Sequence, residues 1–312
     1  MRTGFRLCTL LAAAAGSAAA DPAAAPTRFD IAITVDDLSA HGSLPPGMRW
    51  TDVAASYLDT LEAHGVPEAY GFVNAVRLAD TPDSAPVLDL WRRAGYPLGN
   101  HTYGHLGLSR ATSLDAWTAD VARNEAPLAA RMQRADWHYL RYPFLDAGTD
   151  PDRHDAALGW LRGRGYRIAD VSVSFDDWAY TDAYARCRAR GDAAALDAIA
   201  GMERDYFARV DAGIERMRAL SLRVYARVVP QVLLTHMGAF SAATLPGVMA
   251  RLDAAGAHYV PLAAAQRDPA YADGGPQAGN GVLLERVARE RGVDQAGLPR
   301  VAPAGALDAV CR

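Results

Sequence analysis

The chain has 312 residues, half of them apolar, with 32 basic and 36 acidic side chains and a formal net charge of −4. That size and apolar share suit one large α/β domain better than two independent ones. All the basic residues counted are arginines scattered in ones and twos, which argues against a nucleic-acid groove.

Arg2 and Arg6 precede an apolar run over residues 7–15, and Ser17-Ala18-Ala19-Ala20 supplies the small residues of a signal-peptidase site. Residues 1–20 read as an export signal, with an uncleaved amino-terminal anchor as the alternative. The run is too short to span a bilayer as a mature helix, so no transmembrane segment is expected in the mature chain. The expected location is a periplasm or beyond. Loss of Cys8 with the signal leaves Cys187 and Cys311, an even count in an oxidising compartment. A disulfide between them is favoured over two free thiols. It would close a loop of about 124 residues, worth roughly 4–5 kcal/mol in the chain-entropy model.

Residues 21–28, rich in alanine and proline, form a flexible lead-in. Residues 30–35 (Asp-Ile-Ala-Ile-Thr-Val) have the β-branched character of a strand and stop at Asp36-Asp37. A loop rich in proline and glycine at 41–47 leads to a helix over 51–64, stopped by Gly65. Strands follow at 69–73 and 96–98, with a helix over 86–93 between them. A helical stretch at 113–134 precedes a strand at 137–141, and a helix at 152–163 precedes one long strand at 166–175. Residues 183–220 are helical, broken near Gly191. A strand at 228–234, a helix near 245–255 and a last strand at 258–262 complete the alternation. About seven strands separated by helices predict a parallel β/α barrel or an open doubly wound sheet. The barrel is assigned to 29–265, with a helical insertion at about 179–227. The remainder, 266–312, is a linker, a short helix and a tail.

Asp36-Asp37, His101, Tyr142, Asp177-Trp178 and His236 each fall just past the C-terminal end of a predicted strand. In a barrel those ends converge at one mouth, where active sites are built. His101 and His105 are four apart, a spacing that puts both imidazoles on one face of a helical turn. With Asp37 they make a three-ligand metal site with an open position. Asp36 would be the base beside a metal-activated water and His236 the acid for the leaving group. Asp177 would orient His236, Arg141 would pair with Asp36, and a backbone N–H near Tyr142 would face an oxyanion. Trp178 and Tyr142 offer flat surfaces for a sugar ring. Taken singly, the residues have plainer readings: a helix cap at Asp36-Asp37, a packed indole at Trp178, a core histidine at His236.

The set resembles the polysaccharide deacetylases with the NodB-homology domain, a family of metal-dependent carbohydrate esterases. Its motifs are matched in order by Thr34-Val35-Asp36-Asp37-Leu38, His101-Thr102-Tyr103-Gly104-His105, Arg141-Tyr142-Pro143-Phe144, Ser174-Phe175-Asp176-Asp177-Trp178 and Leu234-Thr235-His236. The resemblance implies a distorted (β/α) barrel of fewer than eight strands. It implies Asp36 as base, Asp37, His101 and His105 as metal ligands, Arg141 and Asp177 as supports and His236 as acid. The N–H of Tyr142 would join the oxyanion hole, and Tyr142, Trp178 and Leu234 would line the substrate. The metal would be divalent: zinc first, with cobalt, nickel or manganese as alternatives. The implied reaction removes acetyl from an acetylated saccharide, N-acetylglucosamine-containing polymers of peptidoglycan or chitin type ahead of O-acetyl xylan. A non-catalytic saccharide-binding barrel and a hydrolase of small cyclic amides are the alternatives from other classes. Leu38 departs from the family's glycine and Ser174 from its aspartate. Sequence leaves the oligomeric state open.

Overall fold

The computed structural model describes residues 28–133, 135–274 and 278–312. The expected export signal at 1–20, and the lead-in up to residue 27, lie outside them. Among the described residues, eight parallel strands make one sheet: β1 (Phe29–Asp36), β2 (Ala69–Val73), β3 (Leu98–Asn100), β4 (Tyr139–Leu140), β5 (Arg167–Ile168), β6 (Val173–Ser174), β7 (Gln231–His236) and β8 (Ala257–Tyr259). Seven follow the order β5-β4-β3-β2-β1-β7-β6, and β8 pairs with the first residues of β1. This curled sheet flanked by helices is a distorted (β/α) barrel.

The two-residue period of β1 divides the core. Ile31, Ile33 and Val35 join the outer cluster beneath the helices, while Ala32 joins an inner cluster with Tyr70, Phe72, Tyr139, Ala169 and Val232. Thr34 and Asp36 continue the inner phase. On β3, Leu98 faces outward, which turns Gly99 and His101 inward. Gly99 has no room for a side chain: a Cβ there would stand 2.7 Å from a ring carbon of Phe72 and 2.8 Å from one of Tyr70. Leu38, where the family has glycine, is fully buried in the outer cluster. Its side chain lies over Gly71, where a Cβ would come within 2.4 Å of a Leu38 methyl.

Three expectations are corrected. The single strand at 166–175 is two strands at opposite edges of the sheet, β5 beside β4 and β6 beside β7. Between them the chain crosses the seam, with Ala169 N–H donating to Leu140 and Ser172 N–H to Val232. Asp170 is the physical reason. It is buried in the crossing and paired through both oxygens with Arg286, at 2.6 and 3.1 Å. The expected linker is tied to the barrel at Gly279, which exchanges backbone hydrogen bonds with Ala147 and Gly148, while the short helix expected after it is Leu283–Glu290, whose Leu283 and Val287 enter the inner cluster. The helical stretch at 113–134 is two helices, Leu114–Arg123 and Glu125–Met132, joined at Asn124.

Gly191, with φ +66°, ends helix Thr181–Arg190 ahead of the 33-residue helix Ala193–Tyr225. The long helix packs Met202, Tyr206, Val210, Ile214, Met217 and Leu220 into the outer cluster. It is a wall of the fold. Cys187 and Cys311 form a disulfide, with Cα atoms 5.1 Å apart, that fixes the C-terminus to helix Thr181–Arg190. Among the described residues, no helix is long and apolar enough to cross a membrane.

Candidate metal centre

Two loops bring the proposed ligands together at the C-terminal ends of β1 and β3. Asp37 follows β1 in the left-handed region (φ +51°), which aspartate tolerates better than most residues. His101 and His105 do not share a helix, contrary to the reading of their spacing. The segment is an irregular turn with Thr102 and His105 both at positive φ. Side chains shape it instead: Thr102 N–H donates to Asn100 Oδ1 (2.9 Å), and Leu106 N–H donates to Thr102 Oγ1 (2.8 Å). Asn124 ties this turn to β2, donating to Val73 O and Asn100 Oδ1 and accepting from Ala75 N–H. The two imidazoles finish 4.8 Å apart.

Asp37 Oδ1 lies 3.5 Å from His105 Nε2 and 3.7 Å from His101 Nε2, and the candidate ligand atoms of the three all fall within 4.8 Å of one another. Their chemistry fits a divalent ion. His101 Nδ1 donates to Arg141 O (2.9 Å), so its proton is fixed there and the Nε2 lone pair faces the cluster. Burial brings the pKa of both histidines down to about 4, leaving them neutral at physiological pH. Burial works against ionised Asp37, but the hydrogen bond from His41 and the charges of His105 and His101 hold it well below the usual carboxylate range.

Two residues absent from the sequence reading hold Asp37. His41 Nδ1 is 2.7 Å from Oδ2, and Asn74 Nδ2 donates to Oδ1 at 2.8 Å. Asn74 stands just past the end of β2, the placement that singled out the other site residues. His41 lies in an irregular loop with no periodic signal, anchored by its N–H to Met237 O.

Beside the cluster, Asp36 Oδ1 accepts from Arg141 Nη1 at 2.9 Å, while Oδ2 lies 3.7 Å from His101 Nε2. Arg141 is itself buried and clamped by Ala169 O and Thr34 Oγ1. Burial raises the pKa of Asp36 and outweighs the pull of Arg141. Asp36 is thus a stronger base than an exposed carboxylate. On the other side, His236 ends β7. Its Nδ1 and backbone N–H meet the two oxygens of Asp177 at 2.9 and 2.8 Å, and Ser241 Oγ donates to Asp177 at 2.6 Å. Burial lowers the pKa of His236, but the charge and hydrogen bond of Asp177 prevail and push it up to about 9. The two groups therefore differ in kind: a carboxylate that accepts protons and an imidazolium that donates one.

The substrate-facing expectations divide. Trp178 is 52 % exposed beside Asp177, and Leu234 is buried on the inward phase two residues before His236. Tyr142 is no platform. Pro143 turns the chain, and the Tyr142 ring is buried in a stack on Trp117. Its backbone N–H donates no backbone hydrogen bond among the described residues. Phe144 is the exposed aromatic instead, at 49 %, with its ring 4.4 Å from that of His105.

Residues 23–160 match the family model described as Polysaccharide deacetylase. That segment holds Asp36, Asp37, His101, His105 and Arg141 and ends before Asp177 and His236. No curated protein matches the chain. Similar solved structures include a family 4 carbohydrate esterase from Streptomyces lividans in complex with acetate (18 % identity, 74 % of this chain and 91 % of that one, TM-score 0.44). Another is the catalytic domain of a peptidoglycan N-acetylglucosamine deacetylase from Eubacterium rectale (19 %, 78 % and 93 %, TM-score 0.47). A third is a mutant, with restored activity, of a family 4 carbohydrate esterase pseudoenzyme (16 %, 77 % and 68 %, TM-score 0.47).

Proposed function

We propose that the protein is an exported, metal-dependent hydrolase of the polysaccharide deacetylase family, removing acetyl groups from an acetylated saccharide; the match of residues 23–160 to that family's model supports the reading. One observation carries the reading: Asp36, bonded to Arg141, and His236, bonded to Asp177, flank the cluster of Asp37, His101 and His105. Asp37, His101 and His105 would hold the metal, zinc before cobalt, nickel or manganese. When bound, the ion would supply a Lewis acid for the acetyl carbonyl and lower the pKa of water.

The chain's own groups do the proton work. Asp36 Oδ2, the oxygen not engaged by Arg141, takes a proton from the attacking water as its oxygen bonds to the acetyl carbon. The Tyr142 N–H is the proposed donor to the carbonyl oxygen as it becomes negative. His236, held by Asp177, gives its proton to the leaving nitrogen, the C–N bond breaks, and acetate and a free amine result. With an ester the same transfers release an alcohol, so O-acetyl xylan is the alternative substrate. Trp178 and Leu234 are proposed to contact the sugar and the acetyl group respectively. Export rests on the amino-terminal pattern and on the disulfide, which an oxidising compartment preserves.

The test is acetate release from N-acetylglucosamine oligomers, peptidoglycan and acetylated xylan, before and after chelation and after zinc or cobalt is returned. The proposal expects loss and recovery; undiminished release from a metal-stripped sample overturns it.

A further inference from the structure

A cation at the rim plays no part in this chemistry. Arg110 ends the short 3₁₀ turn Leu108–Arg110, and its guanidinium carbon lies 3.8 Å from the centroid of Phe144. Phe144 in turn abuts His105 at 4.4 Å between rings. The arrangement is built. Asp146, buried, accepts from Ser109 N–H (2.9 Å), Ser109 Oγ (2.7 Å) and Gly148 N–H (3.0 Å). One carboxylate thus locks the turn carrying Arg110 to the loop carrying Phe144. That loop also holds Phe144 and Leu145 in the left-handed region, at φ +59° and +51°. Such conformations are costly for residues of this type, and the surrounding contacts must sustain them.

The guanidinium uses its flat face on Phe144. Among the described residues, no carboxylate pairs with Arg110 and its side-chain N–H groups reach no acceptor. A guanidinium stacked in this way keeps its planar fork of donors free, the geometry that grips a carboxylate through two parallel hydrogen bonds. A sugar whose acetyl group sits at Asp37, His101 and His105 would bring its own substituents, or those of the adjoining sugar, towards Phe144 and Arg110.

We propose that Arg110, steadied on Phe144, is a subsite for a carboxylate borne by the acetylated sugar or its immediate neighbour. The substrate class is then an acid-bearing acetylated saccharide, such as one with an ether-linked acid or a uronic acid, in preference to a neutral homopolymer. The identity of the acetyl site rests on the deacetylase reading; the carboxylate subsite is tested independently by binding.

Calorimetry on the full chain would compare two N-acetylated oligosaccharides of equal length, one neutral and one with a carboxylate on alternate sugars. The acid-bearing one should bind about 10-fold tighter or more, an advantage that added salt diminishes. Arg110→Ala should bring the ratio of affinities close to one, and Arg110→Lys, which keeps charge without the fork, should restore only part of it. Equal binding of the two ligands, or a ratio untouched by Arg110→Ala, overturns the subsite. Acetate release from the same pair then reads the other premise: selective binding without acetate from either removes the deacetylase reading and leaves the subsite standing.

Discussion

His41 Nδ1 lies 2.7 Å from Oδ2 of Asp37, and the His41 ring is 4.8 Å from that of His236. A carboxylate only accepts, so His41 donates, and with Asn74 on Oδ1 it fixes the carboxylate from both sides. Partners of this kind typically contribute 10–100-fold to metal affinity. His41→Ala should weaken zinc binding by roughly that factor, measured by competition with a chromophoric chelator. His41→Asn, which keeps a donor near the Nδ1 position, should recover most of it. If affinity in His41→Ala is unchanged, the contact does not position Asp37.

The pH dependence follows from His236. Its pKa near 9 in the folded chain, against 6.5 for a free imidazole, keeps it a proton donor at neutral pH. The rate kcat/KM should therefore fall as pH rises through about 9. The same shift acts on stability. A raised folded pKa contributes stability that is fully present below about 6.5 and lost as pH climbs through 9, on the order of 3 kcal/mol. Asp177→Asn removes the charge that sustains the shift, so the alkaline limb should move towards neutral pH. A pH–rate profile for both proteins decides it: coincident limbs would detach His236 from the proton transfer.

The parts of the site that sequence reveals are those tied to regular structure. Asp36, His101 and His236 sit at strand ends, where period-two alternation and the β/α pattern place them together. Asn74 obeys the same rule at the end of β2 but lacks an ionisable group to draw notice. His41 is held by tertiary contacts from an aperiodic loop. The Tyr142 ring was legible as an aromatic but not as a buried one, because its stacking partner Trp117 comes from a separate helix. The segment at 166–175 reads as one strand since apolar residues recur along its whole length, although their phase changes from 166 and 168 to 169, 171, 173 and 175. Only the pairing with Arg286, over a hundred residues later, shows why the chain crosses the seam there.

Arg141 offers a stability test of the base. It is buried, bonded to Asp36, Thr34 and Ala169, and replacing it with methionine strands the Asp36 carboxylate. Breaking a buried pair from one side costs about 3–5 kcal/mol. Arg141→Met should lose stability in that range on urea unfolding. The double variant Arg141→Met, Asp36→Asn should lose less than the single one, because no charge is left unpaired. Equal losses would mean that the strain lies in the contacts to Thr34 and Ala169.

The disulfide can be tested without touching the site. Cys187 is fully buried, and beside it the Arg186 guanidinium donates to the carbonyls of Leu307, Asp308 and Val310, so these hydrogen bonds and the disulfide together hold the last turn of chain. The bridge spans 124 residues, and a loop of that size is worth roughly 4–5 kcal/mol through the unfolded state. Replacing both Cys187 and Cys311 with alanine should lower the unfolding midpoint and abolish its sensitivity to reductant. The wild-type protein should fall towards the same midpoint once dithiothreitol is present, since either change frees the same loop. A wild-type midpoint that reductant does not move, under conditions in which the thiols are shown to be free, would mean that the tail stays docked on Arg186 alone and the bridge adds no stability.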